Sequence, residues 1–480
     1  MTLSIIAPNI INLIFLMIVA RILLNSGMND YAVIIGYASM FALFSDIGTT
    51  ALIIRDVARD HTLINNYAGT YIIIRGSITT IVVLLSLIIV NFMPYSSFII
   101  HCIYVALLSQ LIFQFSNILS AFFQAYEKME YIAYGTILQS ITFFIIGILM
   151  VDKNIGNMGV IGLVYANLIS NIFLLVINII LVWLRIERIK LNFNTNIGKY
   201  MVLAGLPFGI AGFLNTVYSY LDRFILSILY YSDVANYTLP YTLVMSLTFL
   251  MTAYNTSIFP MFSKIFMTRA DSLGYACEKS FKYLLILTVP ICVGTTLLSD
   301  RIIYTIYGSS FSGAIPVLKI LVWLLVFLVV TSIGFPLLTA THRERLNMYI
   351  LGVSAISNIV LNVALIPRYG AIGSSIASLI TMGILNSVLI LYFIRGDIRF
   401  ENIIKPVIKV AVSSIVMALA IILISVNNLV LYIFMGAAVY FITFVLIGGF
   451  SKDDVDILKK IMLGSEKKEN ALFNIIHRFI

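Results

Sequence analysis

Fourteen apolar runs follow one another along this 480-residue sequence, each near the length of about 20 residues that carries a helix across roughly 30 Å of hydrocarbon. They fall at 3–24, 31–54, 67–92, 98–122, 132–151, 158–184, 203–228, 236–260, 283–306, 314–338, 347–366, 371–394, 407–426 and 429–449. Lipid offers the backbone no hydrogen-bond partner, so each run is expected to be a helix. Composition agrees: 61% of residues are hydrophobic and 11% charged, against about 25% charged in a soluble domain. The expected fold class is therefore an all-α polytopic membrane protein. The first run has neither a basic leader nor a small-residue cleavage site and reads as a retained span.

Charge then sets an orientation. With the N-terminus in the cytoplasm, and Lys409 at the start of span thirteen counted with the segment before it, 23 of the 30 Lys and Arg residues fall in cytoplasmic segments, as the positive-inside rule requires. Two, Lys153 and Arg368, fall in outer loops and five within spans. Membrane orientation thus accounts for the net charge of +9, and no nucleic-acid partner is called for. Both termini are expected in the cytoplasm, in a multi-pass protein of the cell membrane. Three cysteines, an odd number in or beside spans, give no disulfide framework.

The chain also repeats itself. "GVIGLVYANLIS" (159–170) returns as "GAIGSSIASLIT" (370–381), 211 positions on, each where a span starts from the outside. Six spans separate the copies, so both face the same way. The turns "FFQAYEKMEY" and "LLTATHRERLNMY", after spans four and ten, correspond as well. This is the pattern of two parallel six-helix lobes. The division expected is an N-lobe over 1–200, a C-lobe over 201–400, two extra spans over 401–450, and a cytoplasmic tail over 451–480.

Two lobes without large aqueous loops suit a machine that rocks about a central cavity. The sequence has no zinc-ligand pair, Walker loop or nucleophile elbow, and its four histidines are scattered. No catalytic residue, metal site or cofactor is expected, and no ATP-binding domain is present to drive transport.

Charges inside hydrocarbon cost about 2.5–3.5 kcal/mol each on the insertion scale and so need a reason. Arg21, Asp46, Arg75, Asp222 and Arg223 fall inside the expected spans. One reading is a wet cavity with cationic groups for an anionic substrate and carboxylates that pair with them or carry ions. The other is internal ion pairing, or snorkelling near span ends. Uncharged polar residues form stripes on single helix faces: Gln110, Gln114, Asn117 and Gln124; Asn167, Asn171 and Asn178; Asn215, Tyr218 and Asp222. They suit either interhelical hydrogen bonding or the wall of a cavity for sugars. The candidate substrate-binding set is Arg21, Arg75, Arg223, Asn215, Gln114 and Asn171.

Three stretches carry a resemblance. "IVARIL…NDYAVIIGYASMFALFSDIGTTALIIRDVAR", "AGLPFGIAGFLNTVYSYLDRFILSILYYSDVANYTLPY" and "LLTATHRERLNMYILGVSAISNIVLNVALIPRYGAIGSSIAS" resemble Wzx-type polysaccharide flippases. These belong to the multidrug/oligosaccharidyl-lipid/polysaccharide exporter superfamily. The resemblance implies movement of a polyprenyl-pyrophosphate-linked oligosaccharide from the inner to the outer leaflet by alternating access, within membrane lipid and alongside polysaccharide-assembly proteins. Arg21, Asp46, Arg55, Asp222 and Arg223 match the family's pattern; Asp46, Asp222 and Arg55 are the ion-coupling or charge-pairing candidates. Alternatives are a peptidoglycan lipid II-type flippase and an ion-coupled multidrug exporter of the same fold. A membrane glycan polymerase or ligase is further off, because it would need a substantial outer loop.

Overall fold

The computed structural model describes residues 2–152, 155–186, 192–249, 251–252, 254–255, 262, 265, 273–396, 400–424 and 428–450. Among them the protein is helical, with no strand. The helices are α1 (Thr2–Ala42), α2 (Thr49–Arg59), α3 (Ile64–Ile89), α4 (Ser97–Ala125), α5 (Met129–Val151), α6 (Gly159–Arg185), α7 (Thr195–Leu229) and α8 (Val234–Ser246). They continue as α9 (Leu273–Ile306), α10 (Ala314–Leu321), α11 (Leu324–Ala340), α12 (Glu344–Ser378), α13 (Asn386–Ile394), α14 (Phe400–Leu423) and α15 (Leu429–Leu446).

Ten stretches of described residues are long and apolar enough to cross a membrane. Two hold a break, Ala7–Ala42 at Leu24 and Arg345–Ile394 at Gly370, where φ turns positive. Each is therefore two helices. With α7 and the helix that starts at Val234, the ten stretches account for the fourteen expected spans.

The second expected span, 31–54, needs correction. Its helix stops at Ala42 and a short 3₁₀ turn follows; Asp46 is extended and α2 restarts at Thr49. The cause is local. The Asp46 carboxylate accepts from the Gly48 N–H at 2.9 Å and the Thr49 hydroxyl at 3.1 Å, caps that compete with a continuous helix. Gly48 takes φ +89°, where a side chain would also strike the Gly205 carbonyl. α2 is consequently a separate amphipathic helix, with Leu52, Ile53 and Val57 buried and Arg59 exposed.

The repeated stretches repeat their backbone. Gly159 and Gly370, which open the two copies, take φ +58° and +54°. In the two turns, Glu127 and His342 both have φ 57°. Lys128 N–H donates to Phe123 O at 2.8 Å, and Arg343 N–H to Leu338 O at 2.7 Å. The side chains match too. Lys128 Nζ caps the Arg185 carbonyl at the end of α6, and Arg343 Nη1 the Phe393 carbonyl near the end of α13. Cations at helix C-termini satisfy orphan carbonyls and suit the helix dipole.

The chain packs as two compact units. The first comprises Met1–Phe249, Ile306–Val317 and Met348–Thr381. One of its cores joins Ile53 and Val57 of α2 to Tyr71, Phe122 and Met201. The second comprises Leu250–Thr305, Leu318–Asn347 and Met382–Ile480. Its core gathers Ile286, Val410, Met417, Tyr432 and Tyr440, and the Tyr440 hydroxyl donates to the Ile286 carbonyl at 2.9 Å. The expected tail, 451–480, lies outside the described residues.

Candidate functional site

The first unit holds a partly open cavity of about 500 Å³ bordered by α1, α5, α6, α7 and α8, within the usual range for a ligand site of about 300–1,000 Å³. Its uncharged polar lining is amide, hydroxyl and phenol: Asn9, Asn12, Tyr31, Ser39, Gln139, Ser140, Asn167, Tyr220, Thr238, Thr242 and Ser246. Phe15 and Phe143 supply an apolar wall, their centroids 4.5 Å apart. Among the described residues Arg223 is the one charged side chain in the lining, and no carboxylate joins it.

Arg223 makes no direct ion pair, although the Asp222 carboxylate lies within Coulomb reach. Its guanidinium carbon lies 4.6 Å from the Tyr241 ring centroid and 5.4 Å from that of Tyr220. Its Nε is buried and makes no hydrogen bond. Asp222, one residue earlier, points elsewhere. Its carboxylate accepts from Tyr237 Oη and Ser378 Oγ at 2.6 Å and from Asn362 Nδ2 at 2.5 Å, all uncharged donors. Adjacent residues on a helix lie about 100° apart around its axis, which is why the two charges face different neighbours.

The other charged candidates have protein partners. Arg75 is buried in an ion pair with Asp46; it also bonds the Thr50 hydroxyl and, at 3.3 Å, Gln114 Oε1. Gln114 in turn donates to the Ala42 carbonyl at 3.5 Å, where the helix stops. Arg21 is exposed near the Leu24 break and donates to the Ile306 carbonyl at 3.0 Å. Arg55 pairs with Asp56 at 2.8 Å and reaches the Tyr200 hydroxyl at 3.1 Å.

Of the asparagines, Asn171 is buried behind the cavity: it accepts from Gln139 at 3.0 Å and donates to Ser109 Oγ at 2.9 Å and Asn167 Oδ1 at 3.2 Å. Asn178 repeats the pattern one heptad on, donating to Ser116 Oγ at 2.7 Å. These two hold α6 to α4 while Asn167 reaches the cavity. The side chains of Asn215 and Tyr218 lie outside the described residues. Thus Arg223 lines the cavity, Asn171 supports its wall, and Arg21, Arg75 and Gln114 lie off it.

Sequence reasoning passed over Asn9, Asn12, Gln139, Tyr220, Thr238 and Thr242. A signal was available in the spacings Asn9–Asn12, Tyr220–Arg223 and Thr238–Thr242, which place each pair on one helix face. What no single helix reveals is that those faces converge.

A clasp lies at the Asn25 end of the site. Asn25 Nδ2 donates to Asn236 Oδ1 at 3.2 Å, Asn29 Nδ2 to the Ser232 carbonyl at 2.9 Å, and Tyr231 Oη to Asp30 Oδ1 at 2.6 Å. Elsewhere Ile47 and Gly48 sit directly on Gly205 and Gly209 of α7, backbone to backbone.

Apolar spans and the breaks within them make this a multi-pass membrane protein, and its fold is like that of solved transporters of the multidrug/oligosaccharidyl-lipid/polysaccharide exporter superfamily. A solved structure of the lipid II flippase MurJ in an inward closed conformation superposes with a TM-score of 0.76, over 96% of this chain and all of that one. At 17% identity the likeness is one of fold. Within that fold, the chain belongs to the family described as polysaccharide biosynthesis protein, which it matches over residues 1–266. Two archaeal relatives align with it. An uncharacterized membrane protein of Methanocaldococcus jannaschii is 24% identical over 69% of this chain. A protein of Haloferax volcanii described as a "probable low-salt glycan biosynthesis flippase" is 26% identical over 51% of it. The chain spans 66% and 52% of their respective lengths.

Proposed function

We propose that this protein is a flippase that moves a polyprenyl-pyrophosphate-linked oligosaccharide from the cytoplasmic to the outer leaflet of the cell membrane. The observation that carries this reading is the cavity: one arginine outside any direct ion pair, among amides, hydroxyls and aromatic rings set in an otherwise aliphatic wall. A glycan joined to pyrophosphate cannot enter hydrocarbon without losing the water on its hydroxyls and charges. Arg223 meets the anionic group, and Gln139, Asn167 and the lining hydroxyls replace water on the sugars. The polyprenyl chain stays in lipid. A site for drug-like cations would instead be expected to carry a carboxylate in its wall.

Transport proceeds by alternating access between two parallel six-helix lobes, 1–200 and 201–400. The matched turns at Glu127 and His342 and the matched glycines 159 and 370 support that division. The clasp around Asn25, Asn29 and Asn236 serves as the outer gate, and the contact of Gly48 with Gly205 and Gly209 as the inner one. Arg21 and Arg75, held by protein partners here, would meet the substrate only after rearrangement. Asp46 and Arg55 are charge-pairing residues, whereas Asp222, ringed by neutral donors, is the candidate for ion coupling.

The test is a leaflet-resolved assay of a lipid-linked oligosaccharide in proteoliposomes, with lipid II as competitor. Translocation that requires the protein and resists lipid II supports the reading. Preferential translocation of lipid II favours a peptidoglycan precursor, and none of either rejects a flippase.

A further inference from the structure

Placing a guanidinium in a low-dielectric wall is costly, and an arginine so placed is commonly held in a direct ion pair with a carboxylate. Half-buried Arg223, with its Nε buried, makes no such direct pair, although Asp222 lies within Coulomb reach. The nearest acid in sequence, Asp222, is occupied by Tyr237, Ser378 and Asn362. What lies against the guanidinium is aromatic: Tyr220 three residues earlier on α7, and Tyr241 across on α8. The two rings are not equivalent. Tyr220 lines the cavity, whereas Tyr241 is buried, lies nearer the charge and does not line it.

A ring face attracts a cation through its quadrupole without accepting the cation's hydrogen bonds. A carboxylate in the same place would hold Arg223 more strongly but would use the charge and the N–H groups that an incoming anion needs. The Tyr241 ring is itself fixed. It lies 5.6 Å from the Tyr237 ring, whose hydroxyl is held by Asp222 at 2.6 Å and Ser378 at 2.9 Å.

We propose that Tyr241 is a positioning residue: its ring, backed by Tyr237, holds the Arg223 guanidinium at the cavity wall outside any direct ion pair, its N–H groups ready for the phosphate of the head group. This rests on the head-group role given to Arg223 above. Tyr241 touches the arginine and not the substrate.

The test uses the full chain purified in detergent, with decaprenyl pyrophosphate bearing one N-acetylhexosamine as the probe. Tyr241→Phe, which keeps the ring, should bind within about two-fold of the wild type. Tyr241→Leu should weaken binding by about 5–30-fold, the equilibrium equivalent of a desolvated cation–π contact. Mono-, di- and trifluorophenylalanine at position 241 keep the shape while draining the ring quadrupole, and they cover the case in which the leucine variant does not fold. Affinity should fall stepwise along that series, whereas a purely packing role would leave it level. A level fluorination series overturns the proposal. Arg223→Ala separates the two readings. If it binds the probe as tightly as the wild type, the head-group assignment fails and the positioning role fails with it. If it loses binding while the fluorinated series stays level, the assignment stands and Tyr241 is only packing.

Discussion

Buried Arg75 forms an ion pair with half-buried Asp46 at the point where the second membrane helix breaks. The same carboxylate caps the restart at Gly48 and Thr49, so one residue both ends a helix and neutralises an arginine. Removing one partner of a buried pair leaves the other charge unpaired, at a cost of about 3–5 kcal/mol. Asp46→Ala and Arg75→Ala are each expected to lower thermal stability in detergent strongly. The double variant Asp46→Ala/Arg75→Ala should be less destabilised than the sum of those single replacements. Strict additivity in a double-mutant cycle would show that the two residues are not coupled.

Arg223 should behave differently, because no carboxylate is held in a direct ion pair with it and Asp222, within its Coulomb reach, keeps three neutral donors of its own. Arg223→Ala is expected to fold and reach the membrane yet reduce translocation at least about ten-fold, the loss of one charge-assisted contact. Arg223→Lys keeps the charge but loses the planar fork, so it should restore part of the activity. Full translocation by Arg223→Ala in reconstituted vesicles would remove the residue from the site.

How far the sequence foretold this site depends on what kind of signal each residue leaves. Spans were readable because hydrocarbon admits only helices and demands length. The break at Asp46 was not, since "SDIGTT" sits in an apolar run and only its caps reveal the stop. Depth singled out Arg75 and Arg223 equally. Their difference, a buried pair against a lone cation over tyrosine rings, is a matter of which helices meet. Likewise the stripe of Asn167, Asn171 and Asn178 divides between cavity and seam only once α4 is laid against α6.

That division makes its own prediction. Asn171 and Asn178 act as interhelical hydrogen-bonding residues, each such contact being worth about 0.6 kcal/mol on average. Asn178→Ala should therefore cost little stability and leave probe affinity unchanged. Gln139→Ala removes a cavity amide and should weaken sugar-bearing probes while sparing binding of the unglycosylated lipid pyrophosphate. Equal losses for both ligands would mean that Gln139 supports the fold and does not contact sugar.

The contact of Ile47 and Gly48 with α7 leaves no room for a side chain. A Cβ on Gly209 would lie 2.5–2.8 Å from Ile47 backbone atoms, and neither side can yield by rotating a side chain. Gly209→Ala must therefore push α7 away from the break, which opens the proposed inner gate. The three native cysteines are buried, so a cysteine introduced at Ser39 in the cavity lining reports access with little background. In inverted vesicles, which expose the cytoplasmic face, a charged maleimide should label Ser39→Cys on the order of ten-fold faster when Gly209→Ala is present, a shift of about 1.4 kcal/mol. In right-side-out vesicles the rate should not rise. Faster labelling from both faces would mean that the helices have simply loosened, and an unchanged rate from the inner face would mean that this glycine contact does not gate the cavity.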